Sequence, residues 1–314
     1  MDGNARCDLV LGGGGVRGAA HIGALTALEE SGYSVVRSAG ASAGAIAGAF
    51  AVAGVPATTL RELFDSLDLT RFVFADVLGR LRTRRAVGRL ADRWSDDAAE
   101  PLTWLTEILA DQGIHTFGDL KVADADGPPE RNYRLVVRCL DILQRRVVRL
   151  PWDYARYGLD PDAQSVARAV RASMSVPLVY DPVRIGGEGP TGLLIDGGLT
   201  SGFPVTVLDR QDGVPPRWPT FGIRLLSRAP ANGEIPDGGL ELARMVMDAL
   251  LDASDLLEPL TDCDERRTVR IDVSETRQLD LNNEQDDMFA DGHATMTRFL
   301  ADWDFDTYLA DCRA

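Results

Sequence analysis

Two glycine-rich stretches near the start of the chain decide the fold: LVLGGGGVRG at residues 9–18 and GASAG at residues 40–44. An apolar strand pattern leads into each stretch, and a helical pattern follows each, at Arg17 to Ser31 and at Ala43 to Ala53. The order strand, helix, strand, helix predicts a parallel sheet covered by helices. Turns that follow parallel strands lie at one edge of such a sheet, so we expect the two stretches to meet there.

The rest of the sequence continues the alternation of strands and helices. Strand patterns occur at Tyr133–Leu140 and Val147–Leu150, which we interpret as a hairpin, and again at Pro182–Ile185, Leu193–Ile195, Thr220–Leu226 and Thr268–Val273. Further helical patterns lie near Val166–Ala172, Leu240–Leu257 and Asp286–Ala301. We predict a three-layer α/β fold with a mainly parallel central sheet flanked by helices, in a single domain over residues 1–314. A helical insertion is expected at about residues 58–118, and a C-terminal extension of helices and a strand at about residues 240–314.

Composition and charge limit the classes of protein to consider. The 314 residues carry a formal net charge of −15, with a sequence pI of about 4.6, which argues against general binding to nucleic acid. The chain has no run of 18 uninterrupted apolar residues and no signal-peptide pattern at its start, so we expect a cytoplasmic protein, with peripheral contact to the inner membrane surface left open. The cysteines lack metal-ligand or short-disulfide spacing and are expected to be reduced thiols: Cys7, Cys139, Cys263 and Cys312.

The first glycine stretch has the spacing of a nucleotide-binding loop but lacks its companions. Gly13, Gly15 and Gly18 match the G-x-G-x-x-G pattern. The second strand lacks the acidic residue that would hold a ribose hydroxyl, and no Gly-Lys-Ser/Thr follows, so a nucleotide site is disfavoured. Consecutive backbone N–H groups at a helix N-terminus can instead stabilise a developing anion, with Arg17 steadying the loop or neutralising charge. A tight turn that binds no ligand is the alternative.

The second stretch has the G-x-S-x-G pattern of a nucleophile elbow, in which flanking glycines, here Gly40 and Gly44, relieve crowding around the serine. Ser42 is therefore a candidate nucleophile, and a packing turn is the alternative. Its candidate base is Asp196, which follows a buried strand and precedes Gly197; a plain Asp-Gly turn is the alternative there.

The three histidines are weaker candidates for the base. His293 comes late in the chain, where a Ser–Asp–His order would place it, but the elbow comes too early for an α/β-hydrolase. His21 is expected to pack or brace the glycine loop, and His115 has no companion motif. No acidic group has the spacing of a calcium loop.

These motifs, in their order and spacing, resemble the patatin-like phospholipase family: Gly13 to Gly18, Gly40 to Gly44 and Asp196 to Gly198, with the segment Arg171 to Pro177 before the aspartate. The resemblance covers about residues 8–210. It implies a Ser–Asp dyad without a catalytic histidine, no metal or other cofactor, and hydrolysis of acyl esters on lipids. One departure is the run LTSGFP at residues 199–204, which lacks the asparagine often found in this family and puts substrate-side contacts in doubt.

The resemblance also implies a role for each matching residue. Ser42 is the nucleophile and Asp196 the base, and the backbone amides of the glycine loop form the oxyanion hole. The residues of that hole are Gly13, Gly14 and Gly15, supported by Arg17, Gly18, Gly40, Gly44 and Gly197.

The sequence thus predicts a serine esterase or lipase of the phospholipase A or lysophospholipase type, working through an acyl-serine intermediate. An acyltransferase with the same intermediate and a non-catalytic lipid- or partner-binding scaffold are the alternatives. Arg80 to Arg93, close to Phe72 and Phe74, is a candidate interfacial helix for anionic headgroups, with an ordinary packed helix as the alternative. Acyl length, cleaved position, headgroup, activators and oligomeric state are left open.

Overall fold

The computed structural model describes residues 5–66, 99–122, 131–177, 179–200, 203–226, 242, 245–246, 249–250, 260–273 and 285–313. Within these residues the strands are β1 (Ala5–Leu11), β2 (Tyr33–Gly40), β3 (Leu135–Asp141), β4 (Arg146–Leu150), β5 (Val183–Ile185), β6 (Gly192–Asp196), β7 (Thr220–Leu226) and β8 (Thr268–Asp272). The α-helices are α1 (Ala19–Glu30), α2 (Ala43–Ala53), α3 (Ala57–Ser66), α4 (Ala99–Asp111), α5 (Val166–Ser173), α6 (Asp262–Arg266), α7 (Gln285–Asp302) and α8 (Phe305–Cys312).

The strands form one mixed sheet in the order β5-β6-β3-β2-β1-β7-β8, with β4 paired to β3. Strands β3, β2, β1, β7 and β8 are parallel to their neighbours in this series. Strands β4 and β6 each run antiparallel to β3, and β5 runs antiparallel to β6. The predicted α/β class and the β3–β4 hairpin are confirmed, and the antiparallel strands are confined to one side of the sheet.

Alternating side chains of the central strands face two separate cores, as expected for a sheet covered on both faces. Leu9 and Leu11 of β1 belong to the larger core, which includes buried residues of α1, α2 and α5. Val10 between them belongs to a smaller core that includes Phe203 and Leu208. The segment from residue 203 to 208 therefore covers the face of the sheet opposite α1 and α2.

Two expectations fall largely outside the described residues. Helices α3 and α4 lie in the predicted helical insertion, but Arg80 to Arg93 lies outside the described residues. The helix predicted near Leu240 to Leu257 is described only at residues 242, 245–246 and 249–250. There Leu250 is about half exposed, at 49%. Across the part of the chain that the structure describes, no helix combines the length and apolar character needed to cross a membrane.

The prediction of four reduced thiols is wrong for one pair. Cys263 of α6 and Cys312 of α8 form a disulfide, whereas Cys7 and Cys139 are buried free cysteines. Their separation of 49 residues explains why short-disulfide spacing did not reveal them. Disulfides are rare in reducing compartments, so this bond does not support the cytoplasmic location expected from the sequence.

Candidate active site

Ser42 lies on a sharp turn between the end of β2 and the start of α2. Its backbone has φ 53° and ψ −125°, a conformation that non-glycine residues rarely adopt and that recurs at functional sites. A Cβ at Gly40 would overlap the carbonyl oxygen of Gly44, and a Cβ at Gly44 would overlap that of Gly12. Both glycines of the G-x-S-x-G pattern are therefore required by close backbone approach, and the turn is packed directly against the glycine loop.

The glycine loop follows β1 and passes beside Ser42. A Cβ built at Gly13 would lie 3.9 Å from the Ser42 Cβ and 3.8 Å from the Gly198 Cα, so these three residues are close neighbours. Gly15 has a φ of 55°, in the left-handed region that favours glycine, and it begins the turn of 3-10 helix that leads into α1. The two stretches that decide the fold thus meet at one edge of the sheet, as predicted.

Two buried side chains form hydrogen bonds with carbonyl groups of the glycine loop. The Arg17 Nε donates a hydrogen bond to the Gly14 carbonyl at 3.3 Å, and the ring Nε2 of His21 lies 2.9 Å from the Gly12 carbonyl. Burial lowers the pKa of His21 to about 4, helped by the charge of Arg17 and opposed by the hydrogen bond to Gly12. The ring is therefore neutral at pH 7 and donates from Nε2. The expectation that His21 braces the loop is confirmed.

Asp196 lies at the end of β6, directly opposite Cys139 of β3. Its position at the end of a buried strand was predicted, but this strand, β6, runs antiparallel to its neighbour β3. Val137 of β3 is opposite Gly40 of β2, so Cys139 lies two residues beyond the level at which β2 ends. The antiparallel β6 thereby delivers Asp196 to the edge of the sheet where β2 delivers Ser42.

The Asp196 side chain is fully buried and unequally hydrogen bonded. Its Oδ1 accepts a hydrogen bond of 2.6 Å from the Gly198 N–H, whereas Oδ2 has no hydrogen-bond partner among the described residues. Burial raises the pKa of Asp196 to about 6, and interaction with the Ser42 hydroxyl and the Gly198 N–H limits the rise. The Ser42 hydroxyl thus favours the charged form of the carboxylate, while Oδ2 is left without a hydrogen bond among the described residues.

Ser173 is a residue of this site to which the sequence analysis gave no role. Its Oγ accepts a hydrogen bond of 2.9 Å from the Ser42 N–H and donates one of 2.6 Å to the Arg138 carbonyl. Two residues later, the Ser175 carbonyl accepts a hydrogen bond of 3.0 Å from the Asp196 N–H. One short segment at the end of α5 therefore fixes the backbone at both Ser42 and Asp196. The only sequence signal was that Arg171 to Pro177 resembles a family segment.

All three histidines lie within the described residues, and each makes its contacts with residues other than Ser42 and Asp196. His21 holds the glycine loop, while His115 is exposed and donates its backbone N–H to Asp119. The Nε2 of His293 is 2.7 Å from a carboxylate oxygen of Glu30. These contacts leave the alternative Ser–Asp–His triad without its histidine.

A pocket opens beside the turn, on the face of the sheet covered by the segment from residue 203 to 208. Its cavity volume is about 30 Å³, room for a water molecule or two. Backbone from the site forms one wall, at Gly13, Ala41 and Gly198. The other walls are mainly apolar, with two arginines, and include Val10, Ala39, Val136, Phe203, Val207, Arg138 and Arg149.

Comparison with known proteins identifies the family. The family model described as patatin-like phospholipase matches residues 9–209, which is most of the chain and contains every motif described above. The protein belongs to the patatin-like phospholipase family. It is also 32% identical over 250 residues to the uncharacterized protein YqhO of Bacillus subtilis (strain 168), a match that covers 78% of this chain and 79% of that protein.

Among solved structures, the chain is similar to a chain of the heterodimeric ExoU–SpcU complex from the type III secretion system of Pseudomonas aeruginosa. The TM-score is 0.52 at 18% identity, with 95% of this chain and 52% of that chain covered. This chain thus spans about half the length of the structure it matches, and the likeness shows the fold alone. Membership in the family supports hydrolysis of lipid acyl esters as the class of activity.

Proposed function

We propose that this protein hydrolyses acyl esters of lipids, as a phospholipase A or lysophospholipase, with Ser42 as nucleophile and Asp196 as base. The observation that carries the proposal is the pairing of Ser42 on its strained turn with a buried carboxylate whose pKa responds to the Ser42 hydroxyl. Strained backbone and a strongly raised carboxyl pKa are both typical of catalytic sites.

The reaction follows from the positions of these groups. The Ser42 Oγ attacks the carbonyl carbon of the ester while its proton passes to Asp196, for which the unpartnered Oδ2 is available. The carbonyl oxygen becomes an oxyanion, which backbone N–H groups of Gly13, Gly14 and Gly15 would stabilise. Asp196 then gives the proton to the departing alcohol or lysolipid, leaving an acyl group on Ser42. Water, deprotonated by Asp196, attacks this ester and releases the fatty acid and the free serine.

The environment of Asp196 suits this role. A carboxylate with a pKa of about 6 is a stronger base than an ordinary aspartate, yet it is mostly ionised at pH 7. The same burial keeps water away from the carboxylate, which strengthens its interaction with the Ser42 hydroxyl.

A serine-directed fluorophosphonate probe tests the assignment when it is combined with fatty-acid release from defined phospholipids. We expect the wild-type protein to be labelled and active, and Ser42→Ala to be unlabelled and inactive. Asp196→Ala should lose nearly all activity too, because the two residues act as a unit. Full esterase activity in Ser42→Ala would refute the proposal. Labelling without lipid turnover would favour an acyltransferase, and no labelling would favour a scaffold.

We further propose that the tip of the β3–β4 hairpin contacts the lipid surface. Ile142 and Leu143 at this tip are 41% and 55% exposed, and they are followed by Arg145 and Arg146. Apolar side chains beside arginines suit the interface of an anionic bilayer, whereas the net charge of the chain, −15, would otherwise oppose binding there. Ile142 directly follows the last residue of β3 and lies three residues beyond Cys139, so the tip projects about 10 Å past the level of Asp196.

A further inference from the structure

We infer that His21 is a positioning residue for the reaction, because its ring sets the direction of the Gly13 N–H, one of the groups proposed to stabilise the oxyanion. This role rests on the proposed function, since it assigns a further residue to the same reaction. His21 acts through the peptide group that joins Gly12 to Gly13, without contact to the substrate.

The first observation is that the His21 ring is fully buried and makes a single hydrogen bond. Its Nε2 lies 2.9 Å from the Gly12 carbonyl oxygen, which can only accept, so Nε2 carries the proton. The ring Nδ1 is also buried and has no hydrogen-bond partner among the described residues. A buried acceptor without a partner destabilises the folded state, so an apolar side chain would suit this position better if His21 only filled space. The contact to Gly12 is therefore the feature that favours histidine here.

The second observation is that the Gly12 carbonyl depends on this contact. Within the part of the chain that the structure describes, no other side chain and no backbone N–H donates to this carbonyl. The N–H of Gly12 belongs to the preceding peptide group and donates a hydrogen bond of 2.9 Å to the Ile223 carbonyl of β7. The sheet thus fixes the peptide before Gly12, whereas His21 fixes the peptide after it. Glycine rotates easily between the two, so the second peptide needs its own restraint.

The third observation is the direction in which this peptide presents its N–H. The peptide between Gly12 and Gly13 is trans, so its carbonyl and its N–H point in opposite directions. A carbonyl held toward His21 therefore directs the Gly13 N–H away from the His21 ring. Gly13 lies against the nucleophile, since a Cβ built on it would be 3.9 Å from the Ser42 Cβ. Holding the carbonyl thus fixes the orientation of a donor that lies next to Ser42.

The N–H groups of the loop are available for such a role. Within the described residues, the N–H groups of Gly13 and Gly14 donate no backbone hydrogen bond. The next carbonyl along the loop, that of Gly14, accepts from both the backbone N–H and the Nε of Arg17. A carbonyl that accepts a hydrogen bond also polarises the N–H of the same peptide, which makes this N–H a stronger donor. The bond from His21 thus both orients and strengthens the Gly13 donor.

Two replacements of similar size separate the hydrogen bond from packing. The amide of His21→Gln can still donate to the Gly12 carbonyl, whereas His21→Met fills similar space without a donor. We expect His21→Met to lower kcat on p-nitrophenyl butyrate about 10-fold or more and to change KM less than about 3-fold, because the oxyanion forms only in the transition state. His21→Gln should retain most of the wild-type kcat. Equal kcat values for the two variants would overturn the proposal.

The affinity for a transition-state analogue is a readout that a merely structural role would not change. When octyl trifluoromethyl ketone binds, the Ser42 Oγ forms a bond to its carbonyl carbon, the Ser42 proton passes to Asp196, and the carbonyl oxygen becomes an oxyanion. We expect the inhibition constant of this ketone to rise about 10-fold or more in His21→Met and to change little in His21→Gln. An unchanged inhibition constant in His21→Met would refute the role of His21.

Leu25→Ala is the matched control for a weakened α1. Leu25 is buried in the larger core one turn further along this helix, and shortening it costs stability while leaving the contact to Gly12 in place. Below its melting temperature it should keep the wild-type kcat and inhibition constant. A loss as large as that of His21→Met would show that His21 only stabilises the helix. If His21→Met does not fold, His21→Asn replaces it with the same expected losses, because its amide is one methylene shorter than that of His21→Gln.

Fluorophosphonate labelling separates failure of this proposal from failure of the proposed function. A wild-type protein that is labelled and active, together with a His21→Met variant that is equally active, would reject the positioning role alone. A wild-type protein that is neither labelled nor active would contradict the proposed function and, with it, the role of His21.

Discussion

A fully buried carboxylate at the end of β6 makes the activity of this protein sensitive to pH. Asp196 acts as a base only when ionised, and burial raises its pKa to about 6. We predict that kcat/KM for an uncharged soluble ester rises about 10-fold per pH unit below pH 6 and levels off above it. Initial rates from pH 4.5 to 8 test this. A flat profile across that range would exclude Asp196 as the base.

The same burial predicts that Asp196 lowers stability at neutral pH. The pKa in the folded state, about 6, is above the ordinary value of 3.8, so the folded protein binds more protons than the unfolded chain between these values. Stability from this group is therefore complete below pH 4 and is lost as the pH rises through 6. We predict that Asp196→Asn raises the free energy of unfolding at pH 7 by roughly 1–3 kcal/mol while abolishing activity. Urea unfolding at pH 7 and pH 4 checks this, because the gain should shrink at pH 4.

Ser173 acts on the reaction through the backbone of Ser42. Replacing it with alanine leaves the Ser42 N–H and the Arg138 carbonyl without this partner, which costs about 1–3 kcal/mol of stability. We predict that Ser173→Ala also lowers kcat at least several-fold with little change in KM, because the turn loses its anchor.

Ser165→Ala is the control for a merely structural effect. Ser165 caps the N-terminus of α5, the helix that ends at Ser173, by accepting a hydrogen bond from the Arg168 N–H. Losing this cap costs about 1 kcal/mol but leaves the contact to Ser42 in place. A kcat for Ser173→Ala no lower than that of Ser165→Ala would show that Ser173 only stabilises the fold.

The β3–β4 hairpin is the element that presents apolar side chains beyond the site. Its tip is held firmly, because the buried Asp141 accepts hydrogen bonds from the N–H groups of Leu143, Gln144 and Leu193 and from the Tyr157 hydroxyl. We predict that Ile142→Ser/Leu143→Ser reduces binding to phosphatidylglycerol vesicles at least several-fold, measured by co-sedimentation.

Val214→Ser is the matched control for this element. Val214 is also exposed, at 50%, but it lies in the loop before β7, at the opposite edge of the sheet from Ser42. Loss of vesicle binding in this variant as well would mean that general surface hydrophobicity, and not the hairpin, carries the contact.

Sequence patterns predicted the structural elements that are determined by residues adjacent in the chain. The alternation of β3 and β4 predicts their hairpin, and the elbow pattern predicts the strained turn at Ser42, because both depend on adjacent residues. The direction of β6 could not be predicted, since its pairing with β3 joins residues more than fifty positions apart. The hydrogen bond from Ser42 to Ser173 spans 131 positions and has no sequence signature of its own. The resemblance indicated that the segment matters but not which atom it contacts.

At the scale of the whole molecule, the end of the chain is fastened to the sheet far from the candidate active site. The disulfide joins α6 to α8, next to β8, which is the last strand in the order of the sheet, whereas Ser42 lies at β1 and β2. Arg267 fastens the same region, since its guanidinium is paired with both Asp209 and Asp264. Covalent and ionic links thus stabilise this side of the fold together.

These links predict that the disulfide affects stability without affecting the reaction. A disulfide that closes a loop of 49 residues restricts the unfolded chain, and its loss costs about 2–4 kcal/mol. We therefore expect Cys263→Ser/Cys312→Ser to lower the free energy of unfolding by about this amount and to retain wild-type kcat/KM on a soluble ester below the melting temperature. Thermal unfolding with and without dithiothreitol supplies the control, because reductant should destabilise the wild-type protein and leave the double variant unchanged. If reductant shifts neither protein, the two cysteines do not stabilise the fold as a pair. A large loss of kcat/KM in the folded variant would mean that the β8 side of the sheet is coupled to Ser42.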